Sequence, residues 1–221
     1  MKIEPFHVRF VIGTAMRLPT HGIPLDSLLA FAAVEEATEM GHDTPLDAIH
    51  DLGLERYVAD DGRWCHKASV LTLAAAQDTY NAQMTRPALV REYAGALDAG
   101  LISGRMDILS LGTGRYKAYL FSHPMGTCAS AEAWGVGNVE RVRALASRIR
   151  SIGKLSRLGA GIVISQQIDL DDSAHTRWRN RAIPATNPVP GSALMQCGYQ
   201  APYWDTRLHG MCAVPPATYG A

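Results

Sequence analysis

Two stretches of this chain, more than a hundred residues apart, carry the same succession of patterns, and that repetition limits the fold more than anything else in the sequence. In the first, Phe6, Val8, Phe10 and Ile12 alternate with His7, Arg9 and Val11, the period-2 signature of a strand. Gly13 and Thr14 end it, "MRLPTHG" reads as loop, and Pro24 opens "PLDSLLAFAAVEEATEM". There Leu25, Leu28, Leu29, Ala32 and Ala33 recur at helical spacing. In the second, "AEAWGVG" (131–137) is a short strand and Asn138 caps "VERVRALASRIRSI". At about 100° per residue Val142, Leu145, Ile149 and Ile152 share one narrow face. Gly153 ends that helix as a C′ glycine, and "GIVISQQI" is the final strand.

The first half needs one more strand to match the second, and "RWCHKASVLTL" (63–73), anchored by Trp64 and Val70, supplies it. The expected order is then strand–helix–strand twice, a ferredoxin-like βαββαβ arrangement of α+β class. The expected boundaries are 1–74 for the first half, 131–170 for the second and 75–130 for an insertion. The insertion holds a polar helix around "RPALVREYAGAL" and one hairpin arm at "RYKAYLFS" (115–122). Residues 171–221 read as an irregular, proline-rich extension of a single domain.

The 221 residues suffice for a core without staples. No apolar run approaches the roughly 20 residues of a membrane span. "MKIEPFHVRFVIG" makes a poor signal peptide, so a cytoplasmic protein is expected, without membrane contact. Cys65, Cys128, Cys197 and Cys212 are widely spaced and lack metal-ligand pairing, so reduced thiols and no cofactor or metal are expected.

The net charge of zero hides a gradient: residues 1–110 hold 9 Lys/Arg and 15 Asp/Glu, residues 111–221 hold 12 and 6. From Arg141 to Arg157 there are six cations and no acid. On a helix over 139–152, Arg141 and Arg148 line one edge of the apolar stripe, Arg143 and Arg150 the other. One-sided charge of this kind is the footprint of a polyanion site.

"RIRSIGKLSRLGAGIVI" (148–164) concentrates this charge beside three glycines. It is not a Walker A loop, because no Lys-Ser/Thr follows Gly159. Nor is it a dinucleotide fingerprint, which runs from strand to helix rather than from helix to strand. Gly159 and Gly161 let a ligand approach bare backbone, with Lys154 and Arg157 to neutralise phosphates. A helix cap followed by a tight turn bearing solvated arginines is the plainer alternative. Both stand open on the residues alone.

With "FVIGTAMRLPTHGIPLDSLLAFAAVEEA", "RWCHKASV", "AEAWGVGNVERV", "VERVRALASRIRSIGKLSRLGAGIV" and "APYWD" in order between residues 6 and 205, the chain resembles the RAMP proteins of CRISPR systems. Within them it is most similar to the smallest RAMP subunit of type IV CRISPR effectors, the third Csf protein of the Cas-five-like group. Residues 75–130 resemble it least. The resemblance implies a RAMP body whose 75–130 insertion is a thumb. It implies a non-catalytic subunit that clasps the 5′ handle of the CRISPR RNA and caps the effector backbone. The implied partners are the backbone and large subunits, with target DNA beside the protospacer close by.

A single-stranded handle offers phosphates and splayed bases, which suit a basic groove with aromatic platforms. The candidate RNA-binding residues are accordingly Arg148, Arg150, Lys154, Arg157, Gly159 and Gly161 in the glycine loop. His21 and Lys67 stand at the ends of the first two strand-like segments, and Arg115, Tyr116 and Lys117 on the insertion. Arg177, Trp178 and Arg179 come from "HTRWRNR" (175–181), a basic run interleaved with an aromatic, which also suits an arm docking on a neighbouring subunit. Tyr203 and Trp204 read as packing anchors, and Trp64 as core. The competing class is a metal-independent endoribonuclease, for which His21, His66, Lys67 and Tyr116 could supply acid and base. A small-molecule phosphate enzyme lacks any nucleophile or metal motif here.

Overall fold

The structure is a computed structural model describing residues 2–17, 22–74, 77–86, 89–101, 118–187 and 189–216. The chain divides into two compact units, Met1–Asp78 with Gly126–Ala221, and Thr79–Met125.

The first unit begins with β1 (Glu4–Ile12), the two-residue β2 (Met16–Arg17) and α1 (Leu25–Glu39). A 3₁₀ turn over Pro45–His50 and a hairpin of β3 (Arg56–Val58) and β4 (Trp64–His66) follow, then β5 (Thr72–Ala74); β6 (Gln77–Arg86) starts at the unit's end and runs on into the second. In the second unit α2 (Val90–Asp98) stands where the helix of the insertion is expected, and β7 (Tyr119–Thr127) neighbours β6 in a sheet. The chain continues with β8 (Ser130–Gly137), α3 (Val139–Ala146), β9 (Val163–Leu170), the single turn α4 (Ala174–Arg177), β10 (Ile183–Pro184), β11 (Ala193–Gly198) and β12 (His209–Val214).

The principal sheet has the order β5-β8-β1-β9 and is antiparallel throughout. The alternation of β1 becomes a face: Phe6, Val8 and Phe10 are fully buried against Leu25 and Leu29 of α1 and Val142 and Leu145 of α3. β8 meets that face with Ala131, Ala133 and Gly135, and a Cβ at Gly135 would run into the Phe6 ring. Asn138 caps α3 as expected, its Oδ1 accepting from the Arg141 N–H at 2.8 Å. The opposite face of the sheet carries a smaller cluster of Cys65, Val136 and Trp178.

Three expectations need correction. "RWCHKASVLTL" is not one strand. β4 pairs with β3 and β5 with β8, while Ser69 sits between them and its Oγ accepts from the Trp134 N–H at 3.0 Å. A side chain doing a ladder carbonyl's work breaks the strand there.

The helix after Asn138 stops at Ala146, so Gly153 is not its C′ residue. Arg148 and Ile149 donate to Leu145 and Ala146 in a tightened last turn, and the chain then becomes extended. The Ile152 N–H donates to the Gly161 carbonyl at 2.8 Å, and the Val163 N–H to that of Arg150 at 2.9 Å. Ile149 and Ile152 are buried as the stripe demanded, Ile149 at the end of the tightened turn and Ile152 from extended chain.

The extension after residue 170 is not irregular. β10, β12 and β11 form an antiparallel sheet in that order around Ala182, Tyr199, Cys212 and Val214. The proline-free runs "ALMQCG" and "HGMCAV" make the two long strands, and Pro184 lies in an edge strand, where its missing N–H is tolerated.

Candidate nucleic-acid interface

The glycine loop joins α3 to β9 and is braced from the other half of the unit. Leu155, at φ 70, opens a 3₁₀ turn over Ser156–Leu158, and Gly159, at φ 80, closes it. Thr14 clamps the far side: its hydroxyl donates to the Gly159 carbonyl at 2.8 Å and accepts from the Ile162 N–H at 3.0 Å. The Gly161 N–H donates to the Ala15 carbonyl at 3.0 Å, and Arg17 bridges to Lys154.

The two glycines called out by the sequence differ. Gly161 has φ +64, and a Cβ there would overlap the Ile152 carbonyl oxygen, so only glycine fits. A Cβ on Gly159 would meet nothing within 4 Å, so that side of the loop is open to a ligand. Arg150, Lys154 and Arg157 are exposed on this frame, and none of them makes an ion pair among the described residues.

The two arginine rails are not equivalent. Arg141 is ion-paired with Glu36 at 2.7 Å, and Arg148 with Glu39, so both tie α3 and its last turn to α1. The Glu39 hydrogen bond raises the Arg148 guanidinium further above its usual range. Arg143 and Arg150 face solvent.

The stretch 175–181 has three different fates for three arginines. Arg177 lies 3.3 Å above the Trp134 ring, which is also stacked with His7 at 4.8 Å. Trp134 is fixed by its Nε1–H donating to Asp171 at 3.0 Å, and hydrogen bonds from Ser173 hold the Asp171 carboxyl below the usual carboxylate range. Arg179 packs over Trp178 and Tyr57 at 4.7 and 5.5 Å. Arg177, Arg179, Thr176, Trp134 and Pro215 line a groove of about 400 Å³. Trp178 does not serve as the base platform expected of it: its indole is 2% exposed, turned inward by α4 onto Cys65 and Val136.

Arg181 is fully buried. Its Nη1 donates to Asp26 at 3.1 Å and to the His66 and Ala68 carbonyls at 2.9 and 3.1 Å. Its Nη2 donates to the Tyr199 carbonyl at 2.7 Å and the Tyr203 hydroxyl at 2.6 Å. The Tyr203 hydroxyl in turn donates to Asp26 at 2.8 Å. Burial opposes the Arg181 charge, but Asp26 and Tyr203 outweigh it and raise its pKa; burial raises that of Tyr203. Tyr203 is thus an anchor, as expected, whereas Trp204 is not: its ring is 73% exposed.

Lys67 is half-buried and paired with Glu55 at 2.8 Å. His66 is 2% exposed, and burial pushes its imidazole down to about 4. Trp64 is half-buried with Arg56 stacked 4.1 Å above it. His21, Arg115, Tyr116 and Lys117 lie outside the described residues. Among the described residues the four cysteines form no disulfide, and no group of three or more His, Cys, Asp or Glu could hold a metal. No described helix is long and apolar enough to cross a membrane.

The sequence does not reveal the Thr14 clamp or the joining of Asp26, Arg181 and Tyr203 in one buried network. The one available signal was an aspartate inside the apolar stripe of α1, an oddity that calls for a buried cation.

The geometry defines an α+β protein with a braced, solvent-facing basic loop and a separate arginine–tryptophan groove. Over residues 4–215 the chain matches the family described as CRISPR type IV associated protein Csf3, and it belongs to that family. No curated protein matches the chain significantly.

Proposed function

We propose that this chain is a non-catalytic RNA-binding subunit of a type IV CRISPR ribonucleoprotein. It would hold the 5′ handle of the CRISPR RNA, cap the backbone of the effector, and stand beside the large subunit near target-flanking DNA. The observation that carries this is the glycine loop: exposed Arg150, Lys154 and Arg157 on a braced backbone, with an open face at Gly159. Fixed cations above backbone that a phosphate can approach are what a single-stranded polyanion needs. The Arg177–Trp134–Arg179 groove offers a second place for phosphates.

The strand order β5-β8-β1-β9, with α1 and α3 against one face, supports reading the body as ferredoxin-like and of RAMP type. In that reading the unit Thr79–Met125 is the thumb. Of the residues the endoribonuclease alternative would use, His21 and Tyr116 lie outside those described. His66 lies buried and uncharged at neutral pH, and Lys67 is engaged by Glu55.

The test is binding of a labelled CRISPR repeat RNA in EDTA across a salt series. The expected result is a complex without cleavage, its affinity falling steeply with salt. Lys154→Glu with Arg157→Glu should weaken binding and flatten the salt slope without changing the melting temperature. Equal affinity in that variant would remove the loop from the site, and discrete cutting within the repeat would restore the nuclease reading.

A further inference from the structure

On α1, Phe31 is 61% exposed and points away from the sheet core. With Val34, Leu46, Ile49, Pro202 and Trp204 it lines a groove of about 340 Å³ between α1, the 3₁₀ turn and the 201–204 turn. Leu46 and Trp204 are 55% and 73% exposed. Single exposed apolar side chains are ordinary, but three large ones around one groove mark a contact surface.

The charge along this part of the chain is mostly negative, and Arg148, the cation that Glu35 faces from α3's last turn, is taken up by Glu39. Between Arg17 and Arg56 the sequence holds eight carboxylates and neither Lys nor Arg. Asp26, Glu36, Glu39 and Glu55 are paired within the fold. Glu35, Asp43, Asp47 and Asp51 are exposed and make no ion pair among the described residues. Glu35 follows the lining residue Val34 and Asp47 follows Leu46. Arg207, near Trp204, is neutralised by Asp205 at 2.7 Å, and Arg56 is engaged by the Trp64 ring and the His50 carbonyl, at 4.1 and 3.4 Å.

We propose that this groove seats an apolar segment flanked by Lys or Arg, presented by another protein subunit of the ribonucleoprotein. Its apolar side chains lie between Phe31 and Trp204, and its cations face Glu35 and Asp47. An acidic rim repels RNA. It also opposes a second copy of the chain, because a two-fold contact sets the same carboxylates against each other. The proposal rests on the reading that the chain works inside such a complex.

The experiment places p-benzoylphenylalanine at Phe31 in the full chain, co-expressed with the other proteins and CRISPR RNA of its complex. After irradiation the partner is mapped by mass spectrometry. The expected adduct lies on another protein, in an apolar segment with neighbouring Lys or Arg. Phe31→Asp with Trp204→Asp should lower co-purification of that protein about tenfold or more. Both residues are exposed, so the variant should keep its melting temperature and its affinity for repeat RNA in isolation. Adducts only on RNA, on a second copy, or on no partner would overturn the proposal. A chain that fails to bind RNA yet forms the protein adduct would refute the RNA reading and leave the groove standing.

Discussion

As strings, residues 148–164 and 175–181 look alike: arginine-rich, without acids, each beside something a nucleic acid could use. In the fold they part. The cations at 150, 154 and 157 stand exposed on a loop whose backbone is held by Thr14 and Ala15. Those at 177, 179 and 181 become, in turn, a guanidinium stacked on Trp134, one packed over Trp178 and Tyr57, and one buried among six acceptors. A charge run reports composition. What each charge does depends on the backbone that carries it and on which carboxylate the fold brings within reach.

The widest separation comes from Arg181→Met. It leaves the Asp26 carboxylate buried and uncompensated, at a cost of about 3–5 kcal/mol by chemical denaturation. Arg177→Ala and Arg179→Ala should each cost about 1 kcal/mol or less, since exposed cation–π contacts are worth little more. Comparable losses at all three positions would erase the distinction.

Acid probes the same buried centre through His66, whose folded pKa lies near 4. The unfolded chain, titrating near 6.5, takes up the proton first, so stability present above that pH falls as pH drops towards 4. The expected loss is about 3 kcal/mol across that window. His66→Gln should flatten the curve, and an unchanged pH profile in that variant would clear His66 of the effect.

Within the loop, Gly161→Ala meets both a left-handed φ and the Ile152 carbonyl, and should cost about 1–3 kcal/mol or more in a thermal melt. Gly159→Ala carries only the backbone strain, about 1–2 kcal/mol, and should show its larger effect on RNA affinity. The smallest effect is that of Arg141→Ala, below about 1 kcal/mol, because its pairing with Glu36 is solvent-screened.

These contrasts also mark what the sequence discloses. β1 and α1 are plain because their periodicity and burial coincide, and a turn at the glycine loop is plain from its glycines, whereas what the loop binds stays open on the residues alone. The break in 63–73 was hidden, since Ser69 acts through its hydroxyl on a residue 65 positions away. The early end of α3 was hidden because a stripe at 142, 145, 149 and 152 buries equally well when 149 sits in a tightened turn and 152 in extended chain. Trp178 and Trp204 exchanged their expected roles: neither residue type nor neighbours tell which side of a single helical turn, or of a proline-flanked turn, meets the core. Arg181 was invisible because its partners come from α1, β4 and the C-terminal sheet, which only the finished fold assembles.

That last arrangement bears on how the protein is made. Asp26 and Arg181 are 155 positions apart, so during synthesis α1 leaves the ribosome with its carboxylate and must wait for its cation. At about 5–20 residues per second the delay is roughly ten to thirty seconds. Over that interval the nascent first half holds β1, α1 and β5 without β8 and β9, the strands they pair with, and an orphaned acid stands in the place where its core should close. Chaperone engagement, or early pairing with a basic neighbour, would fall naturally in that gap.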